Sequence, residues 1–286
     1  MFKIVLLGTG GPRPEPNRNA TTTLIRLGEE NILFDAGRGV VLQLVKAGVP
    51  LDKVGPVFIT HHHYDHIGDL YDVMLATWMH GRRTPLMIYG PPDTRRIADA
   101  MLTQVFDKDW QWRSMGEPAF GGWKPVEIED VGPGPVLDMP GWKISAEIVE
   151  HGDGLGFPAS FLRRWTCYGY RFEAQGKVVA ISGDTVDCAG LQRLAQGADV
   201  LVQCCYMAST EITNEHFRRV ARYTLAAGDS VGKIAARANV KTLVLTHHLP
   251  RKDERIMDAL AEEVARDFSG RIVIGRDLTE IDVLAG

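Results

Sequence analysis

Val57-Phe58-Ile59-Thr60-His61-His62-His63-Tyr64-Asp65-His66 decides the fold. An apolar run ends in a threonine and then delivers four ligand-capable side chains, His61, His63, Asp65 and His66, within six residues. Borderline-soft divalent metals take imidazole and carboxylate ligands. His61 and His63 lie two apart, so an extended segment carries both to one ion. Asp65 and His66 follow on a turn that points them elsewhere, toward a second ion alongside. The cluster is internal and joins a strand to a patterned helix, which excludes an expression tag.

Working outward, Pro56 to Thr60 reads as a buried strand. Ile67, Leu70, Tyr71, Met74, Leu75 and Trp78 fall on one helical face. Before the cluster, Lys3 to Leu7 is a strand running into a Gly-Thr-Gly-Gly-Pro turn. Thr22–Leu27 and Asn31–Phe34 form a hairpin around Gly28-Glu29-Glu30. Val40, Val41, Leu44 and Val45 make a helical stripe. After the cluster, Leu86–Tyr89 is a strand, and Asp93 or Thr94 caps a helix through about Phe106. Strands are expected again at 143–149, 168–174, 177–181, 200–203, 242–245 and 272–274, with helical stripes between them. VFITHH at 57–62 has an echo in LVLTHH at 243–248. Two α/β halves that each deliver histidines at a strand end would suit one site built between them.

Residues 107 to 142 break the alternation. They are rich in Gly, Pro and Trp, and five of the six tryptophans lie between Trp110 and Trp165. The stretch reads as an insertion of loops and short strands within a single domain spanning 1–286. Trp110 and Trp112 are candidate walls for a flat substrate group.

The chain has 286 residues, 45% of them hydrophobic, and a formal net charge of −4. That is enough apolar material for a large core and excludes disorder, collagen and coiled coil as the dominant state. The acidic balance argues against a protein built mainly to hold nucleic acid backbones. The run Ile4–Leu7 is far too short for a signal or a span, and no stretch approaches the ~20 apolar residues of a membrane helix. Cys167, Cys188, Cys204 and Cys205 form no CxxC pair. A cytoplasmic, reducing setting is expected.

Three distal residues also end apolar strands: His151 after Ile148-Val149-Glu150, Asp184 in Ile181-Ser182-Gly183-Asp184-Thr185, and His247 after Leu243-Val244-Leu245-Thr246. With HxHxDH at 61–66, the set resembles the metallo-β-lactamase superfamily over nearly the whole chain. LLGTGGP, ILFDAG at 32–37 and YGYRFE…GKVVAISGDT at 168–185 are similar to the branch holding tRNase Z, arylsulfatases and cyclic phosphodiesterases of this fold.

The resemblance implies an α/β fold, an αββα sandwich of two mixed sheets flanked by helices. It implies one zinc on His61, His63 and His151, a second on Asp65, His66 and His247, and Asp184 bridging. His248 is the fallback for His247, and His62 and Tyr64 point away. Manganese or iron would also suit such donors. The two ions would share a hydroxide as nucleophile, with Asp65 beside it as the catalytic orienting carboxylate. Relatives are often dimers, and a homodimer is the expectation by that analogy alone.

Departures from the branch direct the choice of substrate. Relatives of the tRNase Z type carry a His-Glu pair where this chain has Gln203 and Cys204, and a further His near the place of Leu225. His216 is a candidate replacement acid. The 33 residues from His151 to Asp184 leave no room for a tRNA-gripping arm, although Arg163 and Arg164 in that gap suit an anionic group. The expectation is therefore a dinuclear zinc hydrolase of a small-molecule ester (aryl sulfate, activated phosphoester or lactone-type), with nucleic acid disfavoured as a partner. The alternatives are an RNA or cyclic nucleotide phosphodiesterase and a non-catalytic, metal-retaining binding or sensing protein.

Overall fold

The computed structural model describes residues 1–124, 126–251 and 255–285. The chain divides into two compact units, each built on a mixed seven-stranded sheet.

The first unit holds β1 (Phe2–Gly8), β2 (Thr22–Leu27), β3 (Glu30–Phe34), α1 (Val40–Lys46), β4 (Val54–Phe58), α2 (Tyr64–Ile67), α3 (Leu70–Met79), β5 (Leu86–Gly90), α4 (Thr94–Ala100), α5 (Asp107–Gly116) and β6 (Val126–Asp130). Its sheet runs β14-β1-β2-β3-β4-β5-β6, where β14 is Thr279–Asp282. β1, β2 and β3 pair antiparallel, whereas β3 through β6 are parallel. Val57, Ile59, Leu33 and Ile88 pack with Val73 and Met74 of α3 in one core. The predicted helix over 67–78 is therefore real, but it splits at Gly68-Asp69 into α2 and α3. Asp65 and His66 consequently sit inside a first helical turn.

The second unit holds β7 (Gly134–Met139), β8 (Trp142–Ile148), α6 (Ala159–Leu162), β9 (Tyr168–Ala174), β10 (Lys177–Ile181), α7 (Ala189–Ala195), β11 (Val200–Cys204), α8 (Glu215–Tyr223), α9 (Gly228–Arg237), β12 (Thr242–Thr246), α10 (Arg255–Ala265) and β13 (Arg271–Ile274). Its sheet order is β13-β12-β11-β10-β9-β8-β7. β7 through β10 are antiparallel and β10 through β13 parallel. β11 and β12 are buried at every position, as parallel central strands covered on both faces must be. Leu201, Leu243 and Leu245 pack with Val231, Ile234 and Leu260 of the helices.

The segment 107–142 is more regular than its composition suggests. It supplies the helix α5 and the edge strands β6 and β7. Trp78, Trp110 and Trp123 cluster with ring centroids 5.0 and 5.3 Å apart. The Trp110 indole donates to the Leu102 carbonyl at 2.9 Å. These rings fasten α5 to α3 by side-chain packing, a tertiary cause that helical periodicity does not register. Trp112, by contrast, is 63% exposed. Among the described residues, no helix is long and apolar enough to cross a membrane.

Candidate metal centre

Apart from His151, which follows the antiparallel β8, the candidate ligands stand at the carboxyl ends of strands with a parallel neighbour, where α/β sheets open their crevices. In the first unit the loop after β4 is fixed by a carboxylate at the end of β3. Asp35 is buried and takes a left-handed φ of 63°. Its Oδ1 accepts from the Thr60 amide at 2.7 Å, and its Oδ2 accepts from Thr60 Oγ1 at 2.9 Å and from His66 Nδ1 at 2.7 Å. The threonine hydroxyl spends its only proton on Asp35, so it accepts from His61 Nδ1 at 3.0 Å. Both imidazoles thereby carry their proton on Nδ1 and turn the Nε2 lone pair outward, which is how metal-ligating histidines are set by their outer partners.

His61 Nε2 lies 3.0 Å from His63 Nδ1. Two ligands about 2.0–2.1 Å from one tetrahedral ion stand roughly 3.3 Å apart, so this spacing fits a shared cation. His66 Nε2 lies 3.8 Å from Asp65 Oδ2. His62 turns away to Thr94 Oγ1 at 2.7 Å, and burial lowers its pKa. Tyr64 points out, 64% exposed, under the Arg38 guanidinium. Gly37 is required here, because a Cβ would collide with the Asp65 carbonyl.

In the second unit His151 Nδ1 donates to the Thr224 carbonyl at 2.6 Å and so presents Nε2. Asp184 Oδ2 lies 3.9 Å from His151 Nε2 and 3.1 Å from His247 Nε2. That single oxygen facing two imidazoles suits a bridging carboxylate. His247 ends β12 with a left-handed φ of 60°, so the chain turns sharply and sends His248 elsewhere. His248 Nδ1 and Nε2 face the carbonyls of Cys205 and Leu245 at 3.0 and 3.2 Å. The opening turn at Thr9–Gly11 has a positioning role that its sequence did not disclose. The His248 amide donates to the Thr9 carbonyl at 2.8 Å, and a Cβ on Gly11 would lie 2.9 Å from His247 Cε1.

The first unit thus offers His61, His63, Asp65 and His66, and the second His151, Asp184 and His247, as nitrogen and carboxylate donors, all but His63 buried, and such donors suit divalent ions.

The other expected residues are placed as follows. Gln203 is fully buried and donates to the Cys204 carbonyl at 3.1 Å. The Cys204 thiol donates to the Thr185 carbonyl at 3.3 Å, and burial, then the nearby Asp184 charge, push its pKa up to about 12. Neither supplies a proton to a leaving group at neutral pH. His216 lies on the exposed side of α8, Arg163 and Arg164 are exposed after α6, and Leu225 is buried in the core. Asp35, Thr60 and Gly11 had no assigned role in the sequence reading. Only the Asp-Ala-Gly stop after β3 hinted at the first of them.

Residues 30–248 match the beta-lactamase superfamily domain. The chain belongs to the beta-lactamase superfamily. Among curated relatives, the Ribonuclease Z of Mycobacterium bovis is 33% identical over 288 residues and that of Mycolicibacterium paratuberculosis is 34% identical over 291, with 99% of each chain covered in both cases. Among solved structures, the metallo-beta-lactamase fold protein YhfI from Bacillus subtilis aligns with a TM-score of 0.75 at 22% identity, covering 98% of both chains. Human tRNase Z, short form, aligns with a TM-score of 0.72 at 20% identity, covering 98% of this chain and 99% of that one. These likenesses and the two mixed sheets establish the metallo-β-lactamase type of α/β fold expected from HxHxDH. This superfamily member is a metal-dependent hydrolase of ester bonds.

The relatives overturn the expectation of a small-molecule ester and the exclusion of nucleic acid. Three arguments had carried that expectation. Relatives named Ribonuclease Z match this chain end to end, so the lack of a long arm does not set it apart from them. A net charge of −4 is a sum over the whole chain, whereas phosphate binding needs only a local basic surface. Arg218, Arg219 and Arg222 of α8 are all exposed, with Arg218 paired to Glu215 at 3.3 Å. The third argument, the missing His-Glu pair, concerns only the leaving-group proton and does not bear on which backbone is bound.

Proposed function

We propose that this chain is an RNA phosphodiesterase of the tRNase Z type. One observation carries the reading: relatives named Ribonuclease Z match at 33–34% identity over essentially the full length, together with a complete donor set. His61, His63 and His151 would hold one zinc, Asp65, His66 and His247 a second, with Asp184 shared. Two such ions, when bound, acidify a water and polarise the phosphoryl group.

The protein's own contribution is orientation. Asp35 and Thr60 hold the Nδ1 protons of His66 and His61. The Thr224 carbonyl holds that of His151. Asp65, next to His66 in α2, is the carboxylate placed to orient an attacking water. Exposed arginines 163 and 164 suit the negative backbone of RNA. Four free, buried thiols support work in a reducing, cytoplasmic compartment.

The test is incubation of the zinc-loaded protein with a precursor tRNA bearing a 3′ trailer. Endonucleolytic cleavage that stops on chelation and returns with zinc is expected. Full metal loading without cleavage of that RNA would overturn the reading.

A further inference from the structure

Between His151 and β9 the chain makes a short excursion, residues 152–165, that carries aromatic rings in a row. Phe157, Phe161 and Trp165 recur at intervals of four, with Phe161 in α6 and the other two rings on either side of it. Trp165 lies 6.1 Å from the His151 ring at 30°, Phe161 lies 5.6 Å from Trp165 at 19°, and Phe157 lies 5.1 Å from Phe161 at 62°. The ladder therefore starts at a candidate metal ligand and runs outward.

Its inner rung is fixed and its outer rungs face water. The Trp165 indole donates to the His151 carbonyl at 2.9 Å. Phe157 and Phe161 remain 39% and 44% exposed. Two neighbouring phenylalanines left this open forgo part of the gain of full burial. Gly152 and Gly156, with φ of 94° and 80°, let the excursion turn back so tightly.

Positive charge lies beside the ladder. Residues 152–165 include Arg163 and Arg164 against one acid, Asp153, whose carboxylate accepts from the His151 amide at 2.9 Å. The Gly152 amide donates to the Tyr223 carbonyl at 2.6 Å, and the Tyr223 ring packs directly on Gly154. The guanidinium groups of Arg219 and Arg222 lie 5.9 and 5.0 Å from that ring. Aromatic faces in series beside exposed cations are the two elements that single-stranded nucleic acid requires, because every base has a π face and every nucleotide a phosphate. An apolar peptide would have no use for the arginines.

We propose that Phe157, Phe161 and Trp165 form a stacking platform for unpaired nucleobases of the RNA strand, with Arg163, Arg164, Arg219 and Arg222 taking its phosphates. The inference rests on the RNA reading above and deepens it by naming the subsite and the single-stranded character of the bound segment.

The test uses the zinc-loaded full chain and a fluorescent oligouridylate of about ten nucleotides, beside the same oligomer made with abasic sugars. Phe157→Leu and Phe161→Leu keep an apolar side chain and remove the ring; Phe161→Tyr restores a ring. Each Leu variant is expected to bind intact RNA about tenfold more weakly than the parent. Both should bind abasic RNA as the parent does, and Phe161→Tyr should keep parental affinity for intact RNA. Leu variants with parental affinity for intact RNA, or with equal losses on both oligomers, would overturn the platform. If the parent cleaves precursor tRNA in those cases, the RNA reading survives without it. A parent that neither binds the oligouridylate nor cleaves precursor tRNA overturns the RNA reading itself.

Discussion

Asp35 Oδ2 accepts the Nδ1 proton of His66 at 2.7 Å, across 31 residues of sequence. That bond, with the two that Asp35 receives from Thr60, sets the direction of two candidate ligands from one carboxylate. Asp35→Ala should therefore weaken metal binding by about 10–100-fold, the range for loss of an outer-sphere partner. A chelator competition against the parent measures it. Unchanged affinity would show that the imidazoles hold their orientation without the carboxylate.

Direct removal of ligands should cost more. His61→Ala and Asp184→Ala are expected to retain less than the two metals per chain of the parent, by elemental analysis after gel filtration. Both should lose hydrolysis of any substrate the parent turns over. Chelation of the parent should lower its melting temperature, since an ion that binds only the folded state stabilises it by mass action. Parental metal content in both variants would remove the donor assignment.

Gly11 tests the opening turn. A methyl group there would stand 2.9 Å from His247 Cε1, closer than carbon atoms approach without displacement. Gly11→Ala should push the imidazole from its place, lowering the affinity for one of two metals while the other stays. Metal titration followed by calorimetry would resolve two steps in the parent and a weakened one in the variant. Two unaltered steps would mean that the turn yields instead.

Asp199 should govern acid stability in the second unit. Burial raises its pKa, but this is outweighed by the Lys241 ammonium, the Val178 amide and Lys177, so the net direction is down. Val178 N donates to Oδ2 at 2.9 Å and Lys241 Nζ to Oδ1 at 2.8 Å. A carboxyl depressed in the folded state stabilises above its unfolded pKa, and that contribution fades as the pH falls through the folded one. Asp199→Asn should cost about 2 kcal/mol at pH 7, the scale of a hydrogen bond to a charged group. The gap to the parent should close below about pH 4. Urea unfolding at several pH values reads both, and a gap independent of pH would assign the effect to packing.

Much of the donor inventory was legible in the sequence, because ligand chemistry is local and each ligand follows an apolar strand. The period of β4, β11 and β12 and the apolar stripe of α3 are likewise written in neighbouring residues. The bounds of the short edge strands β6 and β7, the strand β14 and the helix α5 were not. Their apolar faces are small or aromatic, and they are held by partners distant in sequence, as Trp123 is held by Trp78.

By itself, then, the sequence determined which residues are able to bind metal, that they sit at strand ends, and the superfamily. Tertiary structure decided which atoms each of them presents. The turn of His247 into the left-handed region separates it from His248, and Asp35, Thr60 and the Thr224 carbonyl choose the nitrogen each histidine presents. It also brought Phe157 and Phe161 out from Trp165 and Arg219 and Arg222 onto Tyr223, where a whole-chain charge of −4 pointed the other way. The physical reason is the same in both cases. Residue type and periodicity are properties of adjacent positions, whereas proton placement and local potential depend on groups brought close from far along the chain.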